Sequence, residues 1–157
     1  MAEHEQLIYV PVETGPAYFG PGDRYVFLVT GKDSGGAYFI LEATVPPGGG
    51  PPPHKHHREV ECFYLLEGAL TVQVGDREVQ ASAGDFVHVP RGTTHAFQNS
   101  GDKTARMLAV FSPAGMEGYF EEATNPAPDR FATPPPPTEE LIARMVAAGP
   151  KHGVEWV

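Results

Sequence analysis

The chain has 157 residues, enough for one domain whose core folds without covalent staples and short for two. Its 20 acidic against 11 basic side chains give a formal charge of −9, which repels phosphate backbones and anionic lipid surfaces, so neither a nucleic-acid nor a membrane partner is expected. The one cysteine, Cys62, excludes an internal disulfide and a thiolate metal cage. The polar start and the lack of any apolar run near the roughly 20 residues that cross a bilayer make the expectation a soluble, cytoplasmic protein.

Glycine and proline, 18 and 17 of them, punctuate short apolar runs and so predict turns between strands. An unpaired N-terminal strand is expected around Ile8, Tyr9 and Val10, free to add to a neighbouring sheet and make a homodimer. Residues 25–30 and 37–45 are rich in β-branched and aromatic side chains and flank the turn residues 31–36, a hairpin pattern. Residues 46–53, all proline and glycine, can join neither a helix nor a central strand and must be a loop. Strands are then predicted at 60–66, 69–74, 77–80, 86–89, 94–98 and 105–111, the spacing of an all-β sandwich or barrel. Beyond Pro113 a helix over 116–123 is stopped by Asn125, Pro126 and Pro128. Four prolines at 134–137 form a stiff spacer before a second helix, capped by Thr138, with Glu139 and Glu140 in its first turn and Gly149 and Pro150 at its end. The expectation is a single domain over 1–157, with a barrel over about 20–113 and a helical appendage over about 114–157 that lacks the apolar residues for a core of its own.

Four of the seven histidines, His54, His56, His57 and His95, sit beside the densest turn signals. In an extended segment His54 and His56 point the same way, and a carboxylate after the next turn can join them. Imidazole and carboxylate are what intermediate divalent metals take where no thiolate is offered, and His95, opening another strand, is a candidate fourth ligand. Glu59 and Glu61 have the same parity. His57 faces away and reads as surface, His88 as a core or surface residue, Cys62 as a small buried hydrophobe, and His4 and His152 have no visible partners. Phe63 and Leu65 share the face of Glu61, and Phe97 that of His95, so an ion held there sits at the mouth of an apolar barrel and suits a planar organic substrate. Arg58 and Arg91 flank these segments and could contact an acidic group on a substrate, although solvated arginines are the commoner case.

Gly48, His54, His56, Glu61 and Gly68 fill every place of the first cupin motif, and Gly84, Pro90, Gly92, His95 and Asn99 every place of the second. The central half of the chain therefore resembles the cupin superfamily. The proline-glycine run before His54, the Phe63-Tyr64-Leu65-Leu66-Glu67-Gly68 stretch and the run from Pro90 to Phe97 make it most similar to single-domain bacterial proteins grouped with quercetin 2,3-dioxygenase. The resemblance implies a small double-stranded β-helix barrel. It also implies His54, His56, Glu61 and His95 as ligands of one divalent transition metal, whether Fe, Mn, Ni, Co, Cu or Zn. Asn99 is expected to stabilise a turn, and Gly68 and Gly92 to adopt positive φ. The leading expectation is a dioxygenase acting on a flavonol or similar enolisable aromatic together with dioxygen, with Glu61 accepting the substrate proton and Phe63, Leu65 and Phe97 lining the pocket. A metal-dependent isomerase or lyase and a non-enzymatic small-molecule binder are the alternatives.

Overall fold

A computed structural model describes residues 6–157. In chain order the elements are β1 (Ala17–Phe19), β2 (Arg24–Val29), a single-turn helix α1 (Gly31–Ser34), β3 (Phe39–Val45), β4 (His54–His56), β5 (Val60–Glu67), β6 (Ala69–Val74), β7 (Arg77–Ser82), β8 (Phe86–Val89), β9 (His95–Gln98) and β10 (Ala105–Ser112). They are followed by α2 (Met116–Ala123), β11 (Asn125–Pro126), α3 (Glu139–Ala148), a 3-10 turn (Pro150–His152) and β12 (Val154–Trp156). Two sheets face each other, seven strands in the order β11-β1-β2-β3-β10-β5-β8 and five in the order β12-β4-β9-β6-β7, with antiparallel pairing throughout. The protein is an all-β fold of the small double-stranded β-helix kind, with a few short helices.

Alternation explains which face of each strand is inside. Along β10 every second side chain is buried, Ala105, Met107, Ala109 and Phe111, and along β3 the set is Phe39, Leu41, Ala43 and Val45. Phe39 and Phe111 stack at 5.7 Å between ring centroids on neighbouring strands, Phe27 meets Phe39 edge to face at 4.8 Å, and Phe63 meets Phe97 edge to face at 5.4 Å across the two sheets. The 25–30/37–45 hairpin forms as predicted, in the register Tyr25↔Ala43 and Phe27↔Leu41. Its turn is wound into α1, where the Asp33 carboxylate accepts from both the backbone N–H and the hydroxyl of Thr30. Gly68 and Gly92 have φ of 74° and 76°, as the tight turns require.

Two sequence expectations differ from the structure, and residues 8–10 pair with no strand of this chain among the described residues. The segment after Pro113 does more than append helices: β11 extends one sheet and β12 extends the other. Cys62 is half-exposed, because it lies on the solvent side of β5, where its Sγ contacts His88 Nδ1 at 3.3 Å.

Candidate metal centre

β4 is three residues long and its alternation is simple: His54 and His56 turn inward and are buried, while Lys55 turns outward to Glu155 at 3.6 Å. His54 stands directly opposite His95 across the β4–β9 pair. Glu61 arrives from the other sheet, on β5 opposite Phe111. Sheet register and the approach of the two sheets thus bring four buried side chains together, and one ligand atom from each of His54, His56, Glu61 and His95 falls within 4.8 Å of all the others. Glu61 Oε2 lies 2.8 Å from His95 Nε2 and 3.0 Å from His56 Nε2. The ring centroids of His54 and His95 are 4.3 Å apart.

The backbone sets the tautomers. His54 Nδ1 donates to the Pro52 carbonyl at 2.9 Å and His95 Nδ1 to the Thr93 carbonyl at 3.0 Å, so the neutral His54 ring keeps its lone pair on Nε2, and His95, whose Nε2 also donates to Glu61, is the imidazolium. Burial, with the neighbouring His95, lowers the His54 pKa to about 4 and keeps that ring neutral. Burial alone would raise the Glu61 carboxyl, but the charge and hydrogen bonds of His56 and His95 outweigh it and hold the group ionised, well below the usual carboxylate range. Burial likewise lowers His95, and its hydrogen bond to Glu61 more than offsets that, so its net displacement is upward. Three imidazole nitrogens and one carboxylate oxygen, with no thiolate, form a donor set that fits a single divalent transition metal. His56 Nδ1 is buried without a partner.

Other sequence candidates fall outside this cluster. Glu59 is buried, its Oε2 has no partner, burial pushes its carboxyl up, and it does not join the four. His57 is exposed and pairs with Glu155 at 2.6 Å, and His152, with no partner visible in the sequence, pairs with Glu122 at 2.8 Å. Arg58 donates to the Lys151 carbonyl, and Arg91 is exposed. Asn99 is buried and braces its turn through Val45, Gly101 and Lys103. His4 lies outside the described residues.

Beside the cluster is an inner cavity of about 70 Å³ with walls that are almost wholly apolar. Phe97 lines it. Phe63 and Leu65 do not: both are buried in the filled interior, with Phe63 packed 6.5 Å from the His95 ring. The walls come instead from Tyr25, Phe111, Tyr119, Met145 and Trp156, with the Trp156 ring 5.4 Å from His54. None of these was singled out by the sequence. The only signal was the apolar side of the helix after Thr138, which carries Leu141 and Met145.

A two-sheeted antiparallel barrel enclosing a three-histidine, one-carboxylate cluster is the architecture of a metal-holding β-barrel. The Cupin domain family (Cupin_2) matches residues 41–111. Quercetin 2,3-dioxygenase of Bacillus subtilis is 32% identical over 117 residues, 68% of this chain and 34% of that protein. The enzyme of the same name from Aspergillus japonicus is 36% identical over 117 residues, 70% of this chain and 33% of that protein. The chain thus spans about a third of the length of these relatives. The crystal structure of a predicted oxalate decarboxylase from Thermotoga maritima superposes with a TM-score of 0.60 at 22% identity, covering 69% of this chain and 99% of that one, a likeness of fold. The chain belongs to the cupin superfamily and resembles the quercetin 2,3-dioxygenases.

Proposed function

We propose that the protein is a metal-dependent dioxygenase acting on a flavonol or a similar enolisable aromatic, with His54, His56, Glu61 and His95 holding one divalent ion. The observation that carries this reading is the opening of a buried His/Glu cluster onto an apolar cavity. The ion, when bound, supplies a Lewis-acidic centre that lowers the pKa of an enol or phenol oxygen and leaves room for an outside molecule. The chain's own residues do the rest. The Pro52 and Thr93 carbonyls hold the His54 and His95 rings in place. Glu61, ionised by its imidazole neighbours, is in the state needed to accept the proton of the substrate hydroxyl. Phe97, Phe111 and Trp156 keep the space beside the cluster apolar, and at about 70 Å³ it admits the enolisable edge of a substrate and not a whole ring. Among the described residues no lysine or arginine lines the cavity, which disfavours a doubly charged acid as substrate.

The test is elemental analysis of the purified protein, followed by oxygen uptake and flavonol absorbance with and without a chelator. Uptake that depends on flavonol and stops when the metal is removed supports the reading. A fully metal-loaded protein that binds flavonol and consumes neither it nor oxygen overturns it in favour of a small-molecule binder.

A further inference from the structure

Away from the histidine cluster, the barrel buries a second polar group that the proposed chemistry leaves unused. Asp23, just before β2, is 4% exposed. Its Oδ2 accepts from the Tyr25 hydroxyl at 3.3 Å, and its Oδ1 is buried without a partner. Gly49, in the proline-rich loop, leaves the room for Oδ1: a Cβ there would lie 2.8 Å from it. Burial pushes this carboxyl up to about 7, against the weaker downward pull of the Tyr25 hydrogen bond. Buried carboxyl oxygens are normally satisfied, so one without a partner marks a place where a donor is missing.

Asp23 stands in the wall of an outer cavity of about 210 Å³ whose other walls include Pro21, Ile142 and Val146. Tyr25, Pro51, Met145 and Trp156 line this space and the inner cavity alike, so the two share their partition. An apolar cavity of about 150 Å³ takes up a benzene ring. By that measure the outer cavity holds one aromatic ring, and the inner one, at about 70 Å³, does not. The last torsion of an aspartate is soft, so rotation of the carboxyl away from Gly49 can turn an oxygen to the outer space.

We propose that Asp23 and Tyr25 form a hydroxyl-recognition site in the outer cavity: a phenolic O–H on an aromatic ring donates to the Asp23 carboxyl while the far edge of the same molecule reaches towards the histidine cluster. The second contact rests on the flavonol reading; the first does not. The ligand class is an aromatic that carries a hydroxyl on the ring remote from its enolisable end.

The purified, metal-bearing protein is titrated, by quenching of Trp156 fluorescence, with quercetin and with 3-hydroxyflavone, which keeps the enolisable end and lacks the remote hydroxyls. At pH 8, where the Asp23 carboxyl is mostly ionised, quercetin should bind the wild type about tenfold or more tightly, the margin that one hydrogen bond to a charged group supplies. Asp23→Ala should bring the two ligands to equal affinity, and Asp23→Asn, which keeps an acceptor oxygen, should restore part of the difference. Equal affinities in the wild type, or a preference that survives in Asp23→Ala, overturn the proposal. If neither flavonol binds the wild type, the flavonol reading falls, and phenol titrated by NMR decides the site by itself. Binding weakened about tenfold by Asp23→Ala then upholds the site, and absent or unchanged binding overturns it.

Discussion

The Asp23 carboxyl makes a stability prediction that needs no ligand. It titrates near 3.8 in the unfolded chain and is raised to about 7 in the folded protein by burial. Between those values the native state holds a proton that the unfolded state has released, so the contribution of this group falls as pH rises and reaches a floor above about 7. At about 1.4 kcal/mol per unit, the total is on the order of 4 kcal/mol. Asp23→Asn cannot ionise and keeps an oxygen to accept from Tyr25, so it removes the slope with little change of shape. Wild type and variant should therefore melt together near pH 4 and diverge progressively above it. By pH 8 the variant should be ahead by about 10 °C, given the roughly 2–4 °C per kcal/mol of a domain this size. Thermal unfolding followed by circular dichroism from pH 4 to 8, with chelator present throughout to remove any contribution from metal, measures the difference. Parallel melting curves across that range, or a wild type that is the more stable at pH 8, would refute the assignment of a buried, uncompensated carboxyl.

Three further perturbations address the cluster and the loop above it. His54→Ala should lower metal content from about one ion per chain to a small fraction of that while the far-ultraviolet spectrum is kept. Glu61→Gln should keep the fold and cut flavonol turnover by about 100-fold or more; normal metal content in the first, or full turnover in the second, contradicts the role given to that side chain. Gly50→Ala should destabilise by about 3 kcal/mol, because its φ of 131° is a glycine conformation and a Cβ there would collide with the Phe97 carbonyl; an unchanged denaturant midpoint would show that the loop can move away from β9.

The four-residue cluster was legible in the sequence because its information is local. His54 and His56 sit two apart on one short strand and His95 opens a strand bounded by Gly92, so alternation and turn chemistry place those side chains, whereas Glu61, second in β5, shares its parity with Glu59 and was separated from it by the resemblance to the cupin motif. The strands at 69–74 and 86–89 and the helix at 116–123 were legible for the same reason, and their bounds match. The short strands β1, β11 and β12 were not. Two or three residues carry too little pattern to register, and β12 becomes a strand only because β4 offers it an edge, with Trp156 opposite His54 and Val154 opposite His56. Cys62 was misplaced because its residue type favours burial, whereas its parity, opposite to that of Glu61, Phe63 and Leu65, put it on the outer face. Asp23 was invisible as a site for a different reason: its partner-less oxygen is made by packing against Gly49, 26 positions away, and no spacing rule reaches that far.

The distribution of these features along the chain bears on what sets the chemistry and what sets its target. All four cluster residues fall inside the stretch 41–111 matched by the cupin family, and so does Phe97. Of the inner cavity's walls Phe111 also falls inside it, while Tyr25, Tyr119, Met145 and Trp156 fall outside, as do Asp23 and Ile142 of the outer cavity. Met145 is carried by α3, whose start is fixed by the Thr138 hydroxyl accepting from Leu141 N–H at 3.2 Å. The Tyr119 hydroxyl donates to the Met145 carbonyl at 3.1 Å and ties α2 to α3 across the cavity. The ligand cluster is held by paired strands, while the walls are shared between those strands, which carry Tyr25, Phe97 and Phe111, and two short helices with a three-residue edge strand, which carry Tyr119, Met145 and Trp156. Elements with so little sheet pairing open at lower free energy than the barrel does. Loosening the α2–α3 tie with Tyr119→Phe should therefore change which aromatics bind before it changes how much metal the cluster holds. Elemental analysis beside ligand titration on that one variant separates the two, and a loss of metal that parallels the loss of binding would show that walls and cluster form a single unit.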